Sequence, residues 1–351
     1  MTDMTPEQIA KALNAGIISE AQAKTMRAKA GVTEAACAQI GNEDEMRFLR
    51  SFSDVFIAIG VGIFAAGLSV VAGIFGGGVS FLLAAAVMWI MAEYFGRKRR
   101  AHLPTLITAL AFLLFMQRGA SSVLGDLGLG GDIAAALITL GAMLLFYWRI
   151  RLPFCIALIA LAGLYLAGSI VGQIAPEFLK QQFGFGLLLS GIVIFAVALL
   201  YDMNDKHRTT RFADNAFWLH FLAAPLIIHG LALMLVSLQK DVLFGFVPMV
   251  SLNQGDAAII MIIVALITVI GLAINRRALI VSSLGYAAFA MGYLFDGTGM
   301  GLGTVIAVTL LLLGGAIIFL GAGWHTARNG LLKVLPKLPI FPPPFDPDYK
   351  P

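Results

Sequence analysis

Apolar residues run along this chain in long unbroken blocks, and polar residues gather between the blocks instead of alternating with them. Ten blocks read as membrane-spanning helices, since a helix crossing a hydrocarbon core of about 30 Å needs roughly 20 mostly apolar residues. They lie near 52–75, 79–95, 103–117, 132–148, 153–174, 183–201, 216–238, 256–274, 278–295 and 302–323. Ahead of them, residues 5–30 carry a helical period. Thr5 reads as an N-cap, Pro6 suits the first helical position and Gln8 completes a capping box. Gly16 ends that helix, and Ser19 opens another with Gln22 three residues on. Ile9, Leu13, Ile17 and Ile18 are placed to form a small apolar seam between the two. Residues 31–50 read as a connecting helix that enters the first span at "RFLRSF".

Composition agrees with that pattern. Hydrophobic residues make up 59% of the 351 residues and charged residues 13%, about half the charged share of a soluble domain. The expected fold class is all-α: a polytopic membrane helix bundle of about ten transmembrane helices. Three regions follow: a helical hairpin and linker at 1–50, a ten-span domain at 51–324 and a Pro-rich tail at 325–351. The polar N-terminal stretch lacks the apolar core of a secretory signal. "WHTARNGLLKVL" is expected to lie along the membrane surface as a short amphipathic segment, with an extended stretch after it.

Charge orients the bundle. Of the 24 Lys and Arg, only Arg118, Lys180 and Lys240 fall in the alternate connections. The rest lie before span 1, in "GRKRR", "RIR", "KHRTTR" and "NRR", and after span 10. The positive-inside rule then predicts both termini in the cytoplasm. The opposite connections are short and Gly-rich: "GGG" (76–78), "GDLGLGG" (125–131) and "DGTGMGLG" (296–303). Ten spans with both ends inside also fit two five-span halves of inverted topology, a transporter plan. "GSIVG" (168–172) and the set Gly285, Ala288, Gly292 read first as packing within one bundle and second as a dimer seam.

Ionisable groups inside a bilayer are costly, so each is a candidate for function. Asp54 lies near the cytoplasmic mouth of span 1, and Glu93 sits one turn before "GRKRR" and is expected to pair with it. Arg118, Asp126 and Asp132 gather between spans 3 and 4, and no carboxylate falls near the middle of any span. Span 7, "DNAFWLHFLAAPLIIHG", is the exception to an otherwise bland set. His220 and His229 are nine residues apart on one helix and point to opposite sides. Trp218, Leu222, Pro225 and His229 share a face; His220 shares the other with Ala216, Ala223, Ala224 and Ile227. Pro225 has no N–H, so the carbonyl of Phe221 loses its helical partner. Three readings stand: neutral histidines bonding across helices, His229 lining a polar cavity, or a haem or metal held with other spans. The loop 201–215 is the most charged inner connection, with Arg208, Arg211 and Asp214 as candidates and Asp214 as the expected N-cap of span 7. It reads as a self-paired loop or as a docking site for an anionic headgroup.

No Walker loop, GxGxxG, GxSxG, HExxH or zinc spacing appears, and Cys37 and Cys155 have no metal or redox neighbour. No cofactor and no catalytic residue are therefore expected. The stretches "ALNAGIISEAQA", "RTTRFADNAFWLHFLAAPLIIH" and "GAGWHTARNGLL" resemble a family of bacterial multi-pass inner-membrane proteins of unknown function. That resemblance covers most of the chain and implies a bacterial inner membrane and no site residues. The leading expectation is a non-enzymatic scaffold or accessory subunit. Its partners would be the lipid bilayer and another inner-membrane protein or a second copy, not nucleic acid. The alternative is a transporter or lipid translocase with a cavity beside span 7. A membrane enzyme is the second alternative.

Overall fold

A computed structural model describes residues 6–15, 17–29, 52–125, 128–205, 210–235, 239–243, 247–251, 253–296 and 298–334. The Thr5 cap, the 31–50 helix, Cys37, Asp126, Arg208 and the tail beyond 334 lie outside these residues. Among the described residues, ten helices are long and apolar enough to cross a membrane, which makes the chain an integral, multi-pass membrane protein. They are span 1 (Phe52–Phe75), span 2 (Gly77–Ala92, continuing as a π-helical turn over Glu93–Lys98), span 3 (His102–Leu124), span 4 (Leu129–Ile150) and span 5 (Phe154–Ile174). Span 6 (Phe183–Asn204), span 7 (Arg211–Leu235), span 8 (Gln254–Ala273), span 9 (Arg277–Asp296) and span 10 (Leu302–Val334) follow.

Several boundaries differ from the sequence expectation, for one reason. Helices continue past the apolar block wherever their polar ends find partners or water. Span 3 runs on to Leu124, so Arg118 lies within its helix and not in a connection; its guanidinium sits 5.9 Å from the Phe81 ring. Spans 6 and 7 absorb most of the 201–215 loop. Span 10 is a single helix of 33 residues that includes "WHTARNGLLKV", so the separate surface segment is not formed. A short helix, Pro176–Gln181, joins spans 5 and 6. Between spans 7 and 8 stands an antiparallel ribbon of Gln239–Leu243 and Val247–Ser251, with Gln239 opposite Ser251. Span 8 starts from an Asn253 cap, whose side chain accepts from the backbone N–H of Asp256 at 2.8 Å.

The N-terminal hairpin forms as helices Pro6–Asn14 and Glu20–Lys29. Ser19 and Gln22 make the reciprocal capping box: the Ser19 N–H donates to Gln22 Oε1 at 2.8 Å and the Gln22 N–H to Ser19 Oγ at 3.3 Å. Ile9 and Ala23 are its buried residues, but Ile17 is 75% exposed and contributes nothing to the seam. It follows the last helical turn and points away from the partner helix.

The chain divides into two compact units, Met1–Asp44 with Leu187–Pro351, and Glu45–Gly186. The second holds spans 1–5 around an aromatic core. Trp89, Phe112 and Phe146 meet with ring centroids 5.0–5.4 Å apart, packed with Met88, Met143 and Cys155. Spans 2 and 3 approach most closely at two glycines. A Cβ on Gly78 would lie 2.5 Å from the Gly119 carbonyl oxygen, and one on Gly119 would lie 2.8 Å from Leu82. In the other unit the core is formed by spans 7, 8 and 9 through Ala224, Ile228, Ile260, Ile263, Leu279 and Ala290. Of the glycines singled out by spacing, Gly172 packs closely, since a Cβ there would lie 3.2 Å from Leu179 of the short helix Pro176–Gln181. Gly168, Gly285 and Gly292 have open space where a Cβ would sit. A three-residue spacing of small residues brings two helices together only where the facing surface also recedes, as it does at Gly78 and Gly119.

Gly78→Val is expected to force spans 2 and 3 apart, lowering stability by about 1–3 kcal/mol, the usual range for an overpacked core. Gly168→Ala serves as the control and should leave the apparent melting temperature of the purified protein unchanged. Equal melting for wild type and Gly78→Val would refute the close approach.

Candidate functional site

Three ionisable side chains come together inside the unit that contains spans 6–10. Asp202 is in the last turn of span 6, His220 is on span 7 and Arg276 is in the junction between spans 8 and 9. Their relative exposures are 4%, 0% and 1%. Arg276 presents its Nε–H and one Nη2–H side by side to the Asp202 carboxylate, Nε to Oδ2 at 3.1 Å and Nη2 to Oδ1 in a short contact. This is the two-pronged geometry that suits a guanidinium and a carboxylate. His220 Nε2 lies 3.0 Å from the same Oδ2. An ionised carboxylate only accepts, so Nε2 carries the hydrogen and donates. The Phe195 ring packs edge-on against the imidazole, with centroids 5.1 Å apart.

Each member is positioned by local structure. Span 6 ends at Asn204, two residues beyond Asp202, and Asp205 then accepts from the Thr210 backbone N–H at 2.9 Å and from its hydroxyl at 2.7 Å. Thr210 Oγ1 in turn accepts from the Phe212 N–H at 3.2 Å. This Asp205–Thr210 clasp caps span 7 at Arg211. Asp214 falls within the first helical turn and is not the N-cap that its residue type suggested. Span 7 then presents His220 on the face of Ala216, Ala223 and Ala224, all fully buried. These small side chains let neighbouring helices come close enough for the imidazole to reach span 6.

The Arg276 side is built by a helix terminus. Asn275 adopts a left-handed backbone, φ 56°, as the residue after a helix end often does. The Arg276 N–H returns to the Gly271 carbonyl at 2.8 Å. Three consecutive side chains then take three directions. Asn275 Oδ1 accepts from Trp324 Nε1 on span 10 at 2.7 Å. Arg276 turns in to Asp202, and the Arg277 guanidinium lies 5.1 Å from the Trp324 ring. "NRR", read from sequence as topology-setting charge, is the knot that ties span 6, the 8–9 junction and span 10. Spacing could not reveal it, because Asp202 lies 18 residues from His220 and 74 from Arg276.

The other candidates are distributed. His229 is half-buried, its ring 6.4 Å from Tyr286 on span 9. The Tyr286 hydroxyl donates to the carbonyl of Pro225 at 3.4 Å, one turn on from the Phe221 carbonyl that the proline deprives. Trp218 packs between Phe217 and Phe221, at 5.2 and 5.6 Å. Arg211 is exposed and Asp214 half-buried. Asp54 is buried in the first turn of span 1. Glu93 pairs as expected with its own cluster, to Arg97 at 3.1 Å, and also across to Arg149 at 2.6 Å. Among the described residues no three His, Cys, Asp or Glu side chains gather as a metal site.

Chemically, the cluster sets the Asp202 carboxylate against the Arg276 guanidinium, with the His220 imidazole as a third partner. The Asp202 carboxylate thus links span 6 to span 7 and to the 8–9 junction at once. Comparisons with protein-family models, with curated proteins and with solved structures find no match to this chain.

Asp202→Asn removes the carboxylate that the buried Arg276 guanidinium grips with two N–H donors. The expected loss is about 3–5 kcal/mol, read as a large fall in apparent melting temperature. Asp202→Leu combined with Arg276→Met removes both charges and should recover most of it. A double variant no more stable than Asp202→Asn would contradict the compensating pair.

Proposed function

We propose that this chain is a transporter or translocase of the inner, cytoplasmic membrane of a bacterium, with both termini on the cytoplasmic side. The observation that carries this reading is the buried Asp202–His220–Arg276 cluster. Buried ion pairs are costly relative to apolar packing, and ionisable groups within a membrane bundle characteristically serve ion or substrate pathways and proton relays. Two further features support it. The chain separates near residue 186 into units of five spans each, the arithmetic of repeat-built transporters. His229 and Tyr286 also place two polar rings on spans 7 and 9 well inside the helices. The Lys and Arg distribution supports the orientation.

A scaffold or accessory subunit is the second reading. It is favoured by the absence of Asp or Glu near the midpoint of any span, where coupled transporters commonly keep one. The two readings differ in whether water reaches span 7. His229→Cys, in a background with Cys37→Ala and Cys155→Ala, is treated with a small membrane-impermeant thiol reagent from each side. Transport predicts labelling of the cysteine at position 229. Full protection, with an exposed control at Lys180→Cys labelled, would refute it and leave the scaffold reading.

A further inference from the structure

The unit of spans 1–5 carries a second charged feature that the proposed transport reading does not use. Span 2 ends in a π-helical turn, Glu93–Lys98, followed by Arg99 and Arg100. Span 4 ends at Ile150, flanked by Arg149 and Arg151. The two ends touch: a Cβ on Gly96 would lie 2.9 Å from an Ile150 methyl. Arg97, Lys98, Arg99 and Arg100 at the end of span 2 and Arg149 and Arg151 at the end of span 4 are all exposed, and Glu93 joins the two ends by pairing with Arg97 and Arg149.

Glu93 clamps two guanidiniums without exhausting them. It takes Arg97 through Nη1 and Arg149 through Nε. Both guanidiniums belong to exposed side chains and share one counter-ion. Two exposed aromatic side chains, Tyr94 and Trp148, flank them, as aromatic residues do at headgroup depth. The Lys98 ammonium lies 6.0 Å from the Tyr94 ring. Setting topology or complementing two helix C-termini needs fewer charges than these, and needs no clamp. π-helical turns are rare and are found frequently at functional sites.

We infer that the basic end of spans 2 and 4 is a binding site for the phosphodiester headgroup of an acidic phospholipid. Arg97 and Arg149 form the fork that grips the phosphate, and Lys98, Arg99, Arg100 and Arg151 supply the surrounding field. The acyl chains lie along the apolar surface of the spans, with Tyr94 and Trp148 at the interface. Guanidinium pairs suit phosphate oxygens through parallel N–H donors, and basic clusters beside membrane helices attract anionic lipid.

The test uses the full chain purified in mild detergent and offered equal amounts of phosphatidylglycerol and phosphatidylcholine with matched acyl chains, with retained lipid counted by native mass spectrometry. Wild type should retain the acidic lipid in clear preference. Arg97→Gln with Arg149→Gln should lower that retention roughly thirtyfold, the product of the contributions of two basic side chains near an anionic surface. Lys24→Gln with Lys333→Gln removes the same charge elsewhere and should not. Should the first pair fail to fold, Lys98→Gln with Arg99→Gln tests the same field and should lower retention in the same direction. Equal retention of both lipids would overturn the inference, as would equal loss in the control pair. Release of the lipid by millimolar inorganic phosphate alone would also overturn it, because the site would then recognise free phosphate and not a lipid.

Discussion

A hydrocarbon layer offers no partner to a peptide N–H or C=O, so a chain that crosses it must satisfy its backbone within each crossing. That constraint governs the architecture of this protein. It makes every apolar block a helix and leaves side-chain chemistry to decide how the helices meet. With no hydrophobic drive between helices in lipid, association depends on close packing and on polar contacts. The two units use these in different proportions. Spans 1–5 rely on shape, with Gly78 and Gly119 letting two backbones approach and Trp89, Phe112 and Phe146 packed together further along the helices. Spans 6–10 combine an aliphatic core with polar ties, from Asp202 to His220 and Arg276 and from Asn275 to Trp324.

Those polar ties share a design. Asp202, Asn275 and Arg276 sit at or beside helix ends, where the backbone can adopt the conformation that aims them, and His220 and Trp324 meet them from within spans 7 and 10. Asn275 turns the chain with a left-handed residue, and Arg276 can then point inward while Arg277 faces the Trp324 ring. The Asp205–Thr210 clasp sets where span 7 begins and so sets the rotational position of His220. The cluster joins three segments through one carboxylate. A change in the protonation or partner of that carboxylate acts on all three at once, whereas an apolar contact would have only one state. The basic end of spans 2 and 4 is the counterpart in the other unit: Glu93 again joins two helices, but the charges there outnumber it and remain exposed.

Much of the fold was legible in the sequence. The ten blocks, the capped N-terminal hairpin with its Ser19–Gln22 box, and the pairing of Glu93 with its own cluster follow from periodicity and near-neighbour spacing, which act over a few residues. The span ends were less legible. Span 3 continues past Arg118 and span 10 continues through "WHTARNGLL", because a helix stops where its last carbonyls lose partners and not where hydropathy falls. The candidate site was half visible. His220 stood out by its residue type inside a span, whereas Arg276 looked like ordinary cytoplasmic charge and Asp202 like part of a loop.

The sequence by itself therefore determined the class: a helical, multi-pass membrane chain with its charges between the crossings. Hydrophobicity and helix capping are local, and the bilayer admits one answer to them. Only the tertiary structure decided which glycines meet, that Gly168 and Gly285 face open space, and that residues 18 and 74 positions apart form one buried cluster. Those outcomes depend on how the helices rotate about their axes and where they lie beside one another. Helix rotation is set by the sum of many weak contacts, none of which is written in the spacing of a single span.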